Sequence, residues 1–222
     1  QQVGAMKKIF ITDYVGLSTR LEALAIAFLI SERFGHQICL DWQELDALQI
    51  SGTRRGSRGL IGRLNSIKLK GDWAPDFDRI ENFHHVNLLG KMYLPSAQRV
   101  KLRSDLVELI KATFSPYAHR PLVGVHIRRG DFPLVRRDVF DVNATEWPAV
   151  PEWWYEHVMG QIQRHWPTVA FFVSCSGSLS DFPLLQAKFD VFDLPAASPY
   201  ANMYQGHVAA RHPAADLFAL AC

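Results

Sequence analysis

In the run Val123-Gly124-Val125-His126-Ile127-Arg128-Arg129-Gly130-Asp131, two adjacent arginines and a histidine stand where an apolar segment breaks into a loop. Taking two guanidinium groups and an imidazole to the end of a buried-type strand costs solvation energy, and holding an anion there offsets it. Arginine presents planar paired donors that match phosphate oxygens, and Gly130 lets the backbone approach closely, so a diphosphate suits this segment. A salt-bridged Arg-Asp turn beside a satisfied core histidine accounts for the same residues without a ligand, and at this point both readings stand. Asp131, on the same loop, is the first choice for a base that takes a proton from an acceptor hydroxyl; it could equally fix Arg128 or Arg129, and Asp13, Asp138 and Asp141 compete with it. The tripeptide Arg129-Gly130-Asp131 is too short to signal an adhesion motif.

The spacing of apolar residues indicates what positions this loop. Residues 8–12 read as a strand, 18–34 as a helix with Leu21, Leu24, Ala25, Phe28 and Leu29 on one stripe and Gly35 as its stop, and 37–42 as a second strand. Strand, helix, strand in that order opens a parallel α/β sheet. Residues 51–72, rich in Gly, Arg and Lys, read as a mobile surface loop or a phosphate-facing flap. Residues 98–114 read as one helix ending before Ser115-Pro116, and 116–121 as a domain boundary. The pattern then restarts with a strand at 122–127, a helix at 151–166, strands at 169–174 and 189–194, and a helix from 214 to the last residue. The ligand edge of such a sheet is the carboxyl end of its strands, where Arg128 and Arg129 stand. A closing helix should be followed by another strand, so the C-terminal end is expected to be truncated.

Bulk composition narrows the function classes. The chain has 222 residues, 48% of them apolar, enough to bury a core without disulfides or metals. Lys plus Arg number 24 against 22 acidic residues, a formal charge of +2, too balanced to point to nucleic acid on charge alone. Cys39, Cys175 and Cys222 are widely spaced and odd in number, unlike a disulfide framework or a zinc cluster, and fit a reducing cytosol. The longest apolar run, 24–30, is well short of the roughly 20 residues a membrane span needs, and no charged leader precedes a signal-like segment, so a cytoplasmic protein is expected. Residues 1–5 precede Met6-Lys7-Lys8 and read as an addition outside the fold. No metal site is expected, because carboxylates and Cys/His are not clustered at ligand spacing and the arginines can supply positive charge.

Residues 123–131 resemble the donor-binding motif of the α1,2-, α1,6- and protein O-fucosyltransferases. Gly16-Leu17-Ser18-Thr19-Arg20-Leu21-Glu22-Ala23-Leu24 is similar to the loop-helix opening of the same superfamily, and Asp216-Leu217-Phe218-Ala219-Leu220-Ala221-Cys222 to its late helix. The three motifs fall in the right order and span most of the chain. The resemblance implies an α/β protein with two Rossmann-like domains facing across a cleft, a GT-B-type glycosyltransferase, with residues 6–117 on the acceptor side and 118–222 binding the nucleotide-sugar donor. It further implies inverting, metal-independent transfer of fucose from GDP-fucose, with no other cofactor, to a glycan or other hydroxyl acceptor. In that frame Arg128 holds the diphosphate and stabilises the leaving group, Arg129 orients the loop or a second phosphate, His126 lies near the nucleoside, Arg20 approaches from the other domain, and Ser176 and Asp216 belong to the donor site. The sequence departs from the relatives at Ser18-Thr19, where Gly-Asn is common, and after 171–173, where Ser174, Cys175, Ser176 and Ser178 replace an acidic residue facing guanine. These departures motivate an alternative, a catalytically degenerate relative that binds an anion, nucleotide or glycan without transfer.

Other features carry weaker signals. His84-His85 lack a partner at metal spacing, which favours surface or packing roles. Trp153-Trp154-Tyr155 could stack on sugar rings or fill core. Residues 200–204 could border the donor cleft or serve as a packed connector, and Arg211-His212 precede a helix where charge and free amides could meet phosphate or simply be solvated.

Overall fold

The computed structural model describes residues 7–12, 16–56, 66–68, 92–128, 150–175, 177–195, 200–202, 207–209 and 213–222. The chain divides into two compact units, Gln1–Arg103 and Ser104–Cys222.

In the first unit, β1 (Lys8–Thr12) leads through Gly16 into α1 (Leu17–Phe34) and then β2 (Gln37–Asp41). Ile9, Phe10 and Ile11 of β1 and Ile38, Cys39 and Leu40 of β2 are buried without alternation, as expected of parallel strands covered on both faces. Helix α1 buries Ala23 through Phe28 in an unbroken run. Its alanines let it fit between the sheet and a second layer in which Met92 and Tyr93 pack on Ala25, Ile26, Leu29 and Ile30. Gly35 ends it at φ +66°, donating its N–H to the Ser31 carbonyl at 2.8 Å. Two further elements are the strands β3 (Leu48–Ile50) and β4 (Thr53–Arg55), and a third is β5 (Ser66–Lys68). The parallel sheet runs β4-β2-β1-β5, so its strand order turns at β1 and the topological switch point lies where β1 enters α1.

Two sequence expectations change here. Residues 51–72 are not one loop: β4 and β5 lie within them, and the charged Arg54 and Arg55 are tolerated because β4 is the outer strand beside β2. Nor is 98–114 one helix. A short helix α2 (Leu94–Ala97) precedes strand β6 (Val100–Leu102), which pairs antiparallel with β3, and the helix proper, α3, spans Ser104–Phe114. Ladder bonds to β3 outcompete helical propensity over those three residues.

At the carboxyl edge of the first sheet, Arg20 is fully buried. Its two Nη groups donate to the two carboxylate oxygens of Glu44 at 2.8 and 2.6 Å, with side-chain exposures of 0% and 1%. Its guanidinium carbon stands 5.1 Å from the ring centroid of Trp42, whose indole N–H donates to the Ile11 carbonyl at 2.9 Å. The first turn of α1 is thereby tied to the ends of both β1 and β2.

The second unit begins at α3, one helix earlier than the boundary expected at 117–118. Phe114 and Tyr117 pack on Phe172 and Phe192, with Tyr117 and Phe192 stacked at 4.0 Å, and this aromatic cluster binds α3 to the second sheet. That sheet is parallel, in the order β7 (Leu122–Ile127), β8 (Ala170–Cys175), β9 (Val191–Phe192). Strand β9 is shorter than the 189–194 run suggested, because Phe189 leaves the ladder to pack edge-on against Phe171. Helices α4 (Glu152–His165) and α5 (Pro183–Lys188) cover one face, where Val125, Ile127, Met159, Phe171, Val173 and Phe182 form the core. A hairpin of β10 (Tyr200–Asn202) and β11 (His207–Ala209) precedes α6 (Pro213–Leu220), so residues 200–202 are strand rather than irregular connector. Among the described residues no helix is long and apolar enough to cross a membrane.

The Arg20–Glu44 pair gives a direct test of the first unit. Arg20→Met strands a buried carboxylate and is expected to cost about 3–5 kcal/mol in urea unfolding followed by circular dichroism, whereas adding Glu44→Leu should recover most of that loss. A single-variant cost below about 1 kcal/mol would mean that the pair does not anchor α1.

Candidate functional site

The parallel register of β7 and β8 sets His126 opposite Ser174, at the carboxyl ends of both strands. Side chains alternate along β7: Val123, Val125 and Ile127 turn into the α4 face, while Gly124 and His126 turn to the opposite one. Helix α6 lies over that second face. A Cβ on Gly124 would stand 3.1 Å from a methyl of Leu220, so the helix sits as close as it does because residue 124 has no side chain. From Leu220 back to Asp216 the helix climbs about 6 Å, and from Gly124 forward to His126 the strand climbs about 6.6 Å. The two rises match, which brings Asp216 level with the end of the strands. There the Ser174 hydroxyl donates to Asp216 Oδ2 at 3.0 Å, fixing the carboxylate.

His126 feels this arrangement electrostatically. Its imidazole pKa lies below the ordinary 6.5, first because partial loss of water around a side chain that is still exposed disfavours the charged form, then because the Arg128 guanidinium repels a second positive charge; Asp216 pulls the other way. His126, Arg128 and Asp216 therefore share one electrostatic neighbourhood, and His126 is neutral at pH 7. Arg128, one residue past β7, is exposed. From the α4 side, the Tyr155 hydroxyl donates to the His126 carbonyl at 3.3 Å and steadies the strand end.

Three of the residues singled out from the sequence, His126, Arg128 and Asp216, are thus brought together. Arg20 lies in the first unit, where its guanidinium pairs with the Glu44 carboxylate. Arg129, Asp131 and Ser176 lie outside the described residues, as do Asp13, His84, His85, Asp138, Asp141, Arg211 and His212. Ser174, the expected last residue of its strand, and Cys175, expected just past it, are the last two residues of β8. Ser178 caps a short turn at 179–181, whose Asp181 carboxylate accepts the Ser178 N–H at 2.9 Å, and Gly177 adopts φ +100° beside it. Sequence reasoning missed Ser174 as the partner of Asp216, although a serine inside the otherwise apolar run 170–175 was a signal. It also missed Glu44, for which no signal existed. Among the described residues, no group of His, Cys, Asp and Glu is arranged to hold a metal ion.

No protein-family profile matches the chain, and no curated protein sequence does. Solved structures do. NodZ α-1,6-fucosyltransferase co-crystallised with GDP is similar with a TM-score of 0.52 at 16% identity, over 87% of this chain and 80% of that one. The fucosyltransferase NodZ from Bradyrhizobium gives 0.52 at 17% identity over the same shares, and NodZ soaked with GDP-fucose gives 0.50 at 16% identity over 86% and 78%. The chain has a fucosyltransferase-like fold. At these identities the likeness concerns the mixed α/β fold.

The neighbourhood around His126 is open to titration by NMR. The imidazole midpoint is expected below 6.5, to rise in Arg128→Ala and to fall further in Asp216→Asn. Because the folded pKa is lowered, the unfolded chain binds the proton more readily, so stability should decline as pH falls through about 6.5 toward the folded value, and His126→Gln should remove that component. Midpoints unmoved by either charge deletion would show that the three side chains are not neighbours.

Proposed function

We propose that this protein is a nucleotide-sugar-dependent glycosyltransferase of the fucosyltransferase type, with its donor site at the carboxyl edge of the second sheet. The observation that carries this reading is the convergence of His126, Arg128 and Asp216 at a strand edge, in a fold similar to an enzyme co-crystallised with GDP. GDP-fucose is the proposed donor, and a glycan or other hydroxyl compound the acceptor.

Each side chain has a part that its chemistry suits. Arg128 offers a planar fork of donors to the diphosphate, and Arg129, next along the chain, adds a second cation. As an acceptor hydroxyl attacks the anomeric carbon and the glycosidic oxygen leaves on the diphosphate, negative charge grows there and the guanidinium groups stabilise it without a metal ion or further cofactor. The attack is from the opposite face, so the anomeric configuration inverts. Asp131 is the proposed base for the acceptor proton. Neutral His126 can bond to the nucleoside without adding charge. Asp216, held by Ser174 at the strand ends, is proposed as a further donor-site residue beside His126. Ser176 would border the same donor. Arg20 is proposed as a positioning residue: spent on Glu44, it holds the first turn of α1, whose exposed Ser18 and Thr19 stand where fucosyltransferases commonly carry Gly-Asn. That departure favours one second reading, a protein that binds the nucleotide without transferring sugar. The enzyme is proposed to work in the cytoplasm.

Calorimetry with GDP, UDP and ADP tests the donor site. GDP should bind, and Arg128→Ala should weaken it about 10- to 150-fold, the equivalent of one charge-assisted interaction of about 1.5–3 kcal/mol. Absence of GDP and GDP-fucose binding would overturn the reading. Binding without release of GDP from GDP-fucose in the presence of acceptors would favour the non-transferring alternative.

A further inference from the structure

Helix α4 presents two different faces. Inward, Tyr155, Met159 and Ile162 enter the core of the second unit, and Tyr155 reaches the His126 carbonyl. Outward, Trp153 and Trp154 remain 40% and 47% exposed, a large apolar surface to leave in water in the first turn of a helix. Their indole rings stand at 85° to each other with centroids 6.0 Å apart, forming a corner. Trp154 lies nearly parallel to His157, at 28° and 6.3 Å, and a nitrogen of His157 is 2.8 Å from the Gln161 carboxamide. Trp154, His157 and Gln161 are three and four residues apart and so share one stripe of the helix. Because α4 begins beside the ends of β7 and β8, this stripe starts at the same sheet edge as the candidate donor site, in the layer opposite α6.

We infer that Trp153, Trp154, His157 and Gln161 form a glycan-binding platform that holds a sugar residue of the acceptor. The chemistry of the stripe selects this occupant. A pyranose ring has an apolar C–H face that lies against an indole and equatorial hydroxyls that need planar polar partners at the rim, which an imidazole and a carboxamide supply. A membrane surface would call for basic side chains around the tryptophans. Among the described residues the charged side chains beside the two tryptophans on α4 are Glu152, which accepts the Leu184 N–H, and Glu156, whose charge is balanced by Lys188, and neither is basic. The assignment of the bound sugar as acceptor rests on the glycosyltransferase reading; the platform itself rests on the exposed aromatic corner.

The experiment is an NMR titration of the whole chain, following the indole N–H resonances of Trp153 and Trp154, with cellotetraose, chitotetraose and mannotetraose in turn, and calorimetry with GDP in parallel. At least one tetrasaccharide should shift both resonances saturably. Trp154→Ala should weaken that binding at least tenfold and Trp154→Phe by less than about threefold, since a smaller ring still stacks, while GDP affinity stays within twofold of the parent in both variants. The inference is overturned if none of the three saccharides moves these resonances, if binding survives in Trp153→Ala/Trp154→Ala, or if only phosphatidylglycerol vesicles produce the shifts. GDP binding without saccharide binding removes the platform and leaves the donor site standing. Saccharide binding without GDP binding removes the donor reading and leaves a glycan-binding protein.

Discussion

The missing side chain at Gly124 is the constraint on which the second unit turns. Helix α6 lies close over β7 at Gly124, where an added methyl group would stand 3.1 Å from the Leu220 side chain and could be taken in only if that side chain or the helix gave way slightly. Moving the helix outward would carry Asp216 away from Ser174, lose the 3.0 Å hydrogen bond between them, and take away the negative charge that partly offsets Arg128 at His126. A backbone position on the outer strand β7 thus bears on the electrostatics of groups two residues further along. The opposite face of the same strand is insulated from this, because Val123, Val125 and Ile127 pack into a separate apolar layer.

The two edges of the second sheet are built for different tasks. At the amino edge, Arg120 donates to the carbonyls of Thr168 and Val169 and pairs with Asp190 at 2.5 Å, clasping the starts of all three strands. That arginine is spent on structure. At the carboxyl edge, Arg128 stands one residue past β7 at an exposed position. The first unit shows the contrary use at its own carboxyl edge, where Arg20 is sealed beneath Trp42 and matched by Glu44. Burying a charge pair of this kind gains little net stability over apolar residues, but it fixes the start of α1 in one arrangement.

Much of this was legible in the sequence, and the misses have physical causes. Strands β1, β2, β7 and β8 and helices α1 and α4 announced themselves because each is a long run with one clear period, and Gly35 closed α1 as its αL conformation requires. Strands of three residues, β4, β5 and β6, gave no such signal: each is defined by its pairing with another strand, the Gly, Arg and Lys around β4 and β5 read as loop, and the apolar spacing across β6 read as the start of a helix. The strand-end loop at 126–128 was recognisable because cations at the end of an apolar run are costly and therefore informative. Arg20 was equally visible as a cation, but its partner Glu44 is brought to it by the turn after β2, a tertiary fact that no spacing encodes. Trp153 and Trp154 were ambiguous for a simpler reason. Helical periodicity places Tyr155 inward with confidence only when the core around it is known, and the side the two indoles take follows from that.

The groups that act on His126 at the carboxyl edge carry charges of both signs. A bare anion would be repelled by Asp216, and a fold that needed only to hold phosphate would gain by replacing that carboxylate with an amide. A nucleotide has two chemically opposed ends: an anionic diphosphate, and a base whose edge carries N–H donors. Arg128 past the strand end and Asp216 on α6 act on His126 from different elements and with opposite sign. A ligand with an anionic part and an edge of N–H donors, as in the proposed nucleotide sugar, has a use for both signs.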